Sequence, residues 1–335
     1  MKGLVVGCGS IGRRHLQNLK VLGIGDLAVA ESDDERRQRA AEELGVASFG
    51  SLLEGLRWLP DFAVIATPTN LHIAHALEIA SHGCAVFIEK PLSHRPEGIA
   101  ELLRMVCERR LVTMVGCNMR FHPGPRKVKE LLDQRRLGKI LSARIHGGAY
   151  LPSWRPGTDY RTNYAAREET GGGCILDCIH EIDLTRWYLG DALDVVCVAG
   201  HLSSLEIQTE DVAVLVSRHS SGALSEVHLD YVQRTYERGC QIAGEDGSLF
   251  WDFRDRQVRW YDAASDQWTR FEQPAEWQLN QMYVDEMRHF LDCVRENKDT
   301  TLPVAEAAAV MEWVFAAKQS ARDRAAVTVG KGVAG

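Results

Sequence analysis

Two side chains that carry protons stand where a reacting group can be reached. Lys90 follows the apolar run Ala85-Val86-Phe87-Ile88 and is flanked by Glu89 and Pro91. A lysine at the end of a buried strand is partly desolvated, which lowers its pKa toward a range useful for proton transfer. Its competing use is a plain ion pair with Glu89. His180 lies in Asp177-Cys178-Ile179-His180-Glu181-Ile182-Asp183, just after the glycines at 171–173. On a helix Asp177 and His180, three residues apart, share a face that Asp183 continues. A carboxylate beside an imidazole fixes its tautomer and holds it as a base. The competing use is a capping or core histidine.

A second pattern supplies a partner for such chemistry. Gly7-Cys8-Gly9-Ser10-Ile11-Gly12 follows an apolar strand and opens a helix. In this motif one glycine permits the tight turn, one lets backbone approach a pyrophosphate, and one lets helix pack on strand. The helix N-terminus then offers N–H groups and partial positive charge to phosphates. An acid, Glu31, ends the second strand 19 residues past Gly12. A carboxylate there accepts from both ribose hydroxyls and repels a 2′-phosphate, so NAD is expected over NADP. Arg13, Arg14 and Arg36 are the counterweight. Thr67-Pro68-Thr69-Asn70 closes another strand of the same sheet, beside the cofactor; Thr69 or Asn70 alternatively caps the helix that carries His72. The expected cofactor set is Gly7 to Gly12, Glu31, Ser32, Arg36, Thr67, Pro68, Thr69, His72, Glu89, Lys90 and Asn118.

The elements that must position these residues are readable from period and punctuation. Short apolar runs at 4–6, 27–30, 63–66, 85–88 and 112–117 alternate with helical patterns at 11–22, 34–44, 72–81 and 96–110. Continuous apolar strands separated by helices imply a parallel sheet covered on both faces, hence a doubly wound domain over residues 1–120. Beyond it, helical patterns at 125–135 and from the glycines to about 189 flank a polar, aromatic connection at 151–173, long enough to be functional. Alternating strands between 195 and 271 with tight turns predict a large, mostly antiparallel open sheet. Helices at 278–296 and 304–322 close an α/β domain over 121–335, and 328–335 read as a loose tail.

Composition narrows the class. A chain of 335 residues with 45% hydrophobic content builds one large or two ordinary domains. The net charge of -7 includes no basic block, which excludes nucleic acid as a partner. No apolar run is long enough for a membrane span, and Met1 leads at once into a core strand, leaving no room for a signal peptide. Nine cysteines, among them Cys8, Cys84, Cys107, Cys117 and Cys197 in apolar stretches, read as reduced, buried thiols of a cytoplasmic protein. Cys174 and Cys178 lack a second pair with ligand spacing, so no metal is expected.

GCGSIGRRH, ATPTNLH, FIEKPLS and the GGG…D..HEID segment together resemble the glucose-fructose oxidoreductase/inositol dehydrogenase/MocA family, from Lys2 to about Arg322. NMRFHPGPRKVKELL and YLPSWRPGTDYR resemble a branch that accompanies sialic-acid-like sugar and surface-polysaccharide genes. The resemblance implies a Rossmann domain, a second domain whose open sheet forms an oligomer interface, and NAD(P)-dependent chemistry on a sugar or cyclitol carbon. It implies that Lys90 binds the reacting oxygen and that His180 is the catalytic histidine, with Asp177 as its companion. The common family spacing places that aspartate four residues before the histidine, and here it is three, so Asp183 is a rival partner. Arg120, His122, Arg155, Tyr160 and Arg161, with Asp177 and His180, are the expected substrate contacts. Three arginines among them point to an anionic or nucleotide-linked sugar; their competing use is pairing with Asp159, Glu168 and Glu169. An NAD-dependent glycosidase or lyase and a non-enzymatic dinucleotide sensor are the alternatives, and a homodimer or homotetramer is the expected assembly.

Overall fold

The computed structural model describes residues 1–155 and 157–330. Contacts divide the described residues into two units, Met1–Asn118 with Gln278–Ala308, and Met119–Trp277 with residues 309–330.

The first unit alternates β1 (Lys2–Val6), α1 (Ser10–Val21), β2 (Asp26–Ala30), α2 (Asp34–Leu44), β3 (Ala47–Phe49), α3 (Leu52–Arg57), β4 (Phe62–Ile65), α4 (His72–Ser81), β5 (Ala85–Glu89), α5 (Ile99–Arg109) and β6 (Thr113–Gly116). Six parallel strands lie in the order β3-β2-β1-β4-β5-β6. The order reverses between β1 and β4, which makes the carboxyl ends of these strands the natural ligand crevice. β1, β4 and β5 are buried almost throughout, as strands covered on both faces must be. The sequence pattern missed β3 and α3. β3 is three residues long and, among the described residues, pairs with β2 alone, and α3 makes under two turns behind its Ser51 cap, so neither repeats a period often enough to be seen.

The second unit holds α6 (Pro123–Asp133), β7 (Ile140–Gly148), α7 (Cys174–Asp177), α8 (Ile179–Leu189), β8 (Ala192–Gly200), β9 (Val212–His219), β10 (Leu224–Asp230), β11 (Glu237–Gly244), β12 (Gly247–Asp252), β13 (Gln257–Asp262) and β14 (Gln267–Glu272). Two helices follow, α9 (Asn280–Glu296) and α10 (Val304–Asp323), then β15 (Val327–Thr328). The nine-stranded sheet runs β14-β13-β12-β11-β7-β10-β9-β8-β15, antiparallel throughout except for β7 beside β10. Ala143, Ile145, Ala213, Leu215, Val227 and Leu229 are buried, while Arg144, Val216 and Glu226 alternate with them toward the other face.

α9 belongs to the first unit because its face completes that core. Phe290 sets its ring against Phe62 and Phe87, at centroid distances of 5.9 and 5.6 Å. After α9, Thr300 Oγ1 donates to the Thr113 carbonyl at 2.6 Å. Three local expectations are corrected. The helix expected from the glycines to residue 189 is broken at Cys178 (φ -88°, ψ 33°) into α7 and α8. Thr328, expected in a loose tail, pairs with Asp194 of β8, and residues 331–335 of that tail lie outside the described residues. Cys107 is exposed, on the outer side of α5, whereas the other eight free cysteines are buried.

Candidate functional site

In the first unit the turn after β1 is stitched to its neighbours. Gly7 N–H donates to the Ala30 carbonyl, and Ala66 N–H to that of Val6. Gly7 has φ +88°, which a side chain would strain. A Cβ on Gly12 would lie 2.0 Å from the Gly7 carbonyl oxygen, so only glycine lets α1 start this close to β1. At Gly9 a Cβ would meet nothing within 4 Å, so the space in front of the helix is open. α1 has no side-chain cap and no acid in its first turn, which leaves its N–H groups and positive end for an anion. The cradle therefore fits a dinucleotide pyrophosphate.

Glu31 is buried at the end of β2. Its Oε2 accepts the Cys8 N–H at 3.0 Å and its Oε1 the Asp33 N–H at 3.1 Å, with Arg36 Nη2 at 3.3 Å. Burial works to raise this carboxyl, but those two N–H groups and the Arg36 guanidinium bring it below its ordinary value. The group is thus an acceptor at neutral pH, as a ribose hydroxyl requires. Cys8 contributes its N–H to Glu31. Its thiol is pushed up to about 11, first by burial and then by Glu31, and is inert. Ser10, Ser32 and Arg36 are exposed, and Ile11 is half-buried.

The other expected cofactor residues line the ends of β4, β5 and β6. Thr67 is half-buried with Oγ1 3.2 Å from His75 Nδ1, Pro68 is exposed, and Thr69 is buried. The cap on α4 is Leu71, without a side-chain hydrogen bond, so neither Thr69 nor Asn70 caps that helix. His72 is buried with Nδ1 2.8 Å from the Pro91 carbonyl and Nε2 3.0 Å from that of Thr67. Burial lowers its pKa, and a neutral ring carries one N–H, so it donates to one of these two carbonyls. Glu89 Oε1 lies 2.6 Å from His15 Nε2, and Oε2 accepts the Lys90 N–H at 3.3 Å. Lys90 is half-buried just past β5. Asn118 is buried and hydrogen-bonds to Tyr283 of α9.

In the second unit Asp177 closes α7 and His180 opens α8, both buried. The break at Cys178 removes the shared helical face that the spacing predicts. Asp177 Oδ1 accepts from Tyr164 at 3.0 Å, and Oδ2 from Tyr231 at 3.4 Å. Sequence reasoning missed both tyrosines. Tyr164 lies in the long connection already singled out, and Tyr231 directly follows β10; nothing in their spacing marks them. Asp183 is held by Arg120 through two hydrogen bonds, Nε–Oδ2 at 2.8 Å and Nη2–Oδ1 at 2.7 Å. Glu181 pairs in the interior with Arg238.

The expected substrate contacts separate. Arg120 is buried on Asp183. His122 accepts the Gly124 N–H as the cap of α6 and sits among Trp251, Phe253 and Trp277. Burial, with Arg238 and Arg256, pulls it down to about 3. Arg161 is exposed and paired with Asp159 and Glu206, and the Tyr160 hydroxyl accepts the Glu206 N–H at 3.1 Å. Arg155 is exposed, 3.4 Å from Asn163 and over the Tyr164 ring. Among the described residues no cluster of three or more His, Cys, Asp or Glu has metal-holding geometry, and no helix is long and apolar enough to cross a membrane.

Comparison with known proteins agrees with this architecture. Residues 1–117 match the oxidoreductase family with the NAD-binding Rossmann fold, and 126–250 match the GFO/IDH/MocA C-terminal domain. Myo-inositol 2-dehydrogenase of Thermotoga maritima is 27% identical, over 96% of this chain and 97% of its own. The scyllo-inositol 2-dehydrogenase (NAD(+)) of Bacillus subtilis is 27% identical, over 95% and 93%. Among solved structures, levoglucosan dehydrogenase in complex with NADH superposes with a TM-score of 0.90 at 20% identity, covering 98% of this chain and 99% of that one. An oxidoreductase from Agrobacterium radiobacter gives 0.85 at 21%, covering 98% of each. The glycine cradle, the buried Glu31 and both matched halves lead to one assignment: the chain belongs to the GFO/IDH/MocA family of NAD-binding oxidoreductases.

Proposed function

We propose that this enzyme oxidises a ring hydroxyl of a cyclitol or sugar, or reduces the matching carbonyl, with Lys90 and His180 as its proton-handling residues. The observation that carries the reading is Lys90, which directly follows β5 in the same parallel sheet whose β1 and β2 run into the Gly9 turn and Glu31. The names of the inositol dehydrogenase relatives supply the substrate class. NAD, when bound, supplies the hydride acceptor, and in its reduced form the donor. In oxidation His180 takes the hydroxyl proton as the C–H bond breaks, and Lys90 steadies the charge developing on the oxygen. In reduction the proton returns by the same route. Asp177, anchored by two tyrosine hydroxyls, is a carboxylate on the histidine's own segment. Its role is to raise the proton affinity of the imidazole and so make it a stronger base.

The anionic or nucleotide-linked version of the substrate rests on Arg155, because Arg120 and Arg161 spend their charge on Asp183 and on Asp159 with Glu206. We place the enzyme in a reducing cytoplasm on its nine free thiols. We assign a homo-oligomer contact to the outer face of the nine-stranded sheet, where Val196, Val198, Val216, Leu224 and Trp268 are exposed.

A panel of inositols, neutral sugars, sugar acids and nucleotide sugars, followed by NADH absorbance, tests the reading. On the accepted substrate, Lys90→Ala and His180→Asn should each lower kcat by about 10²–10⁴ and leave NAD affinity unchanged. Near-full activity in either variant sinks that residue's role. Substrate consumed with no net NADH would mean transient oxidation followed by elimination.

A further inference from the structure

We propose that His15 and His72 are positioning residues for Lys90: two buried imidazoles that grip the residues on either side of it. The inference rests on the reading of Lys90 as catalytic. Lys90 directly follows β5, and where its long side chain can reach is set first by where its backbone is held. Glu89, before it, is held by His15, which lies fully buried one turn past Gly12 on α1. The second oxygen of the same carboxylate accepts the Lys90 N–H. Pro91, after it, has no N–H, so its carbonyl is its only backbone handle, and His72 takes it at 2.8 Å. The other nitrogen of His72 lies 3.0 Å from the Thr67 carbonyl, and because burial keeps the ring neutral its one proton, on Nδ1, serves Pro91.

The two grips come from opposite sides. α1 belongs to the crossover from β1 to β2 and α4 to that from β4 to β5, which run in opposite directions from the switch point. Right-handed crossovers then place the helices on opposite faces of the sheet. A carboxylate only accepts, so His15 bonds to it through a protonated Nε2. The helix whose N-terminus forms the phosphate cradle thereby also sets the backbone of Lys90. A misplacement of about 1 Å at a reacting group costs roughly 10²-fold in rate.

A double-mutant cycle on kcat tests this, with NAD affinity titrated in each variant. His15→Ala should lower kcat about ten- to a hundred-fold. His15→Gln, whose amide presents a donor near the place of Nε2, should recover most of it. In the Lys90→Ala background His15→Ala should add almost nothing, because the group it positions is gone. Losses that multiply, or equal losses in His15→Ala and His15→Gln, would overturn the inference alone. Near-full activity in Lys90→Ala would overturn the reading of Lys90 and the inference with it. A second arm keeps the test alive if His15→Ala does not fold. His72→Asn keeps a donor for Pro91 and His72→Gln one for Thr67, so the Asn variant should retain the higher kcat; the reverse order counts against the proposal. In the cofactor-free protein, amine modification of Lys90, read by mass spectrometry, should change rate in His15→Ala and not in His15→Gln, and an unchanged rate in His15→Ala speaks against it.

Discussion

Arg120 and Asp183 form a two-pronged ion pair in the interior of the second unit, with side chains 5% and 1% exposed. Each had a competing use at the surface of a site, Arg120 on substrate and Asp183 on His180. In the structure each is a partner of the other. The pairing also makes a stability claim, because removing one partner leaves a buried charge uncompensated. Arg120→Ala should cost about 3–5 kcal/mol in urea unfolding, whatever its effect on turnover. A variant of unchanged stability with a raised KM would return Arg120 to the substrate site.

We expect Glu31 to select NAD over NADP. Glu31→Ser removes the carboxylate that accepts from Cys8 and Asp33 and leaves the Arg36 guanidinium with Asp33 as its remaining carboxylate partner. NAD affinity should fall and NADP affinity rise, read by titrating both against tryptophan fluorescence. Wild-type protein that binds NADP more tightly than NAD would contradict the role given to this carboxylate.

The arginines of the long connection should separate in steady-state kinetics. Arg155→Ala should raise KM for an acidic or nucleotide-linked substrate far more than it lowers kcat, since such a contact binds ground and transition states alike. Arg161→Ala should change neither, because that guanidinium already faces Asp159 and Glu206. A neutral ring accepted equally well by wild type and Arg155→Ala would remove the anionic version of the substrate.

His122 makes the fold sensitive to acid. Its folded value, about 3, lies below its ordinary 6.5 because the ring is buried and near Arg238 and Arg256. Between those limits the unfolded chain binds a proton that the folded chain refuses, so stability rises with pH there. The contribution is complete above about 6.5 and is lost as pH falls, at up to about 1.4 kcal/mol per pH unit. His122→Asn keeps an acceptor for the Gly124 N–H and removes the titration. Its stability should therefore fall less steeply from pH 6.5 toward 4 in chemical unfolding; an unchanged slope would place the acid sensitivity elsewhere.

Much of the first unit could be read along the chain. The strand, glycine turn and helix from Lys2 to Val21, and the acid closing β2, are consecutive. Their geometry follows from short-range sterics, apolar period and the freedom of glycine. The alternating strands of the second unit announce one buried and one outward face in the same way, and so does the return of amphipathic helices after Gln278.

What no local pattern holds is the partner of a polar side chain. Arg120 finds Asp183 across 63 residues and His15 finds Glu89 across 74. Asp177 takes hydroxyls from Tyr164 and Tyr231, and α9 closes the first core rather than the second. Read alone, an arginine meant for a ligand and one meant for a buried carboxylate are the same letter. Period is settled by neighbours three or four residues away. Which charge is buried, and against what, is settled by the cost of desolvating it, and that cost exists only once distant segments have packed together.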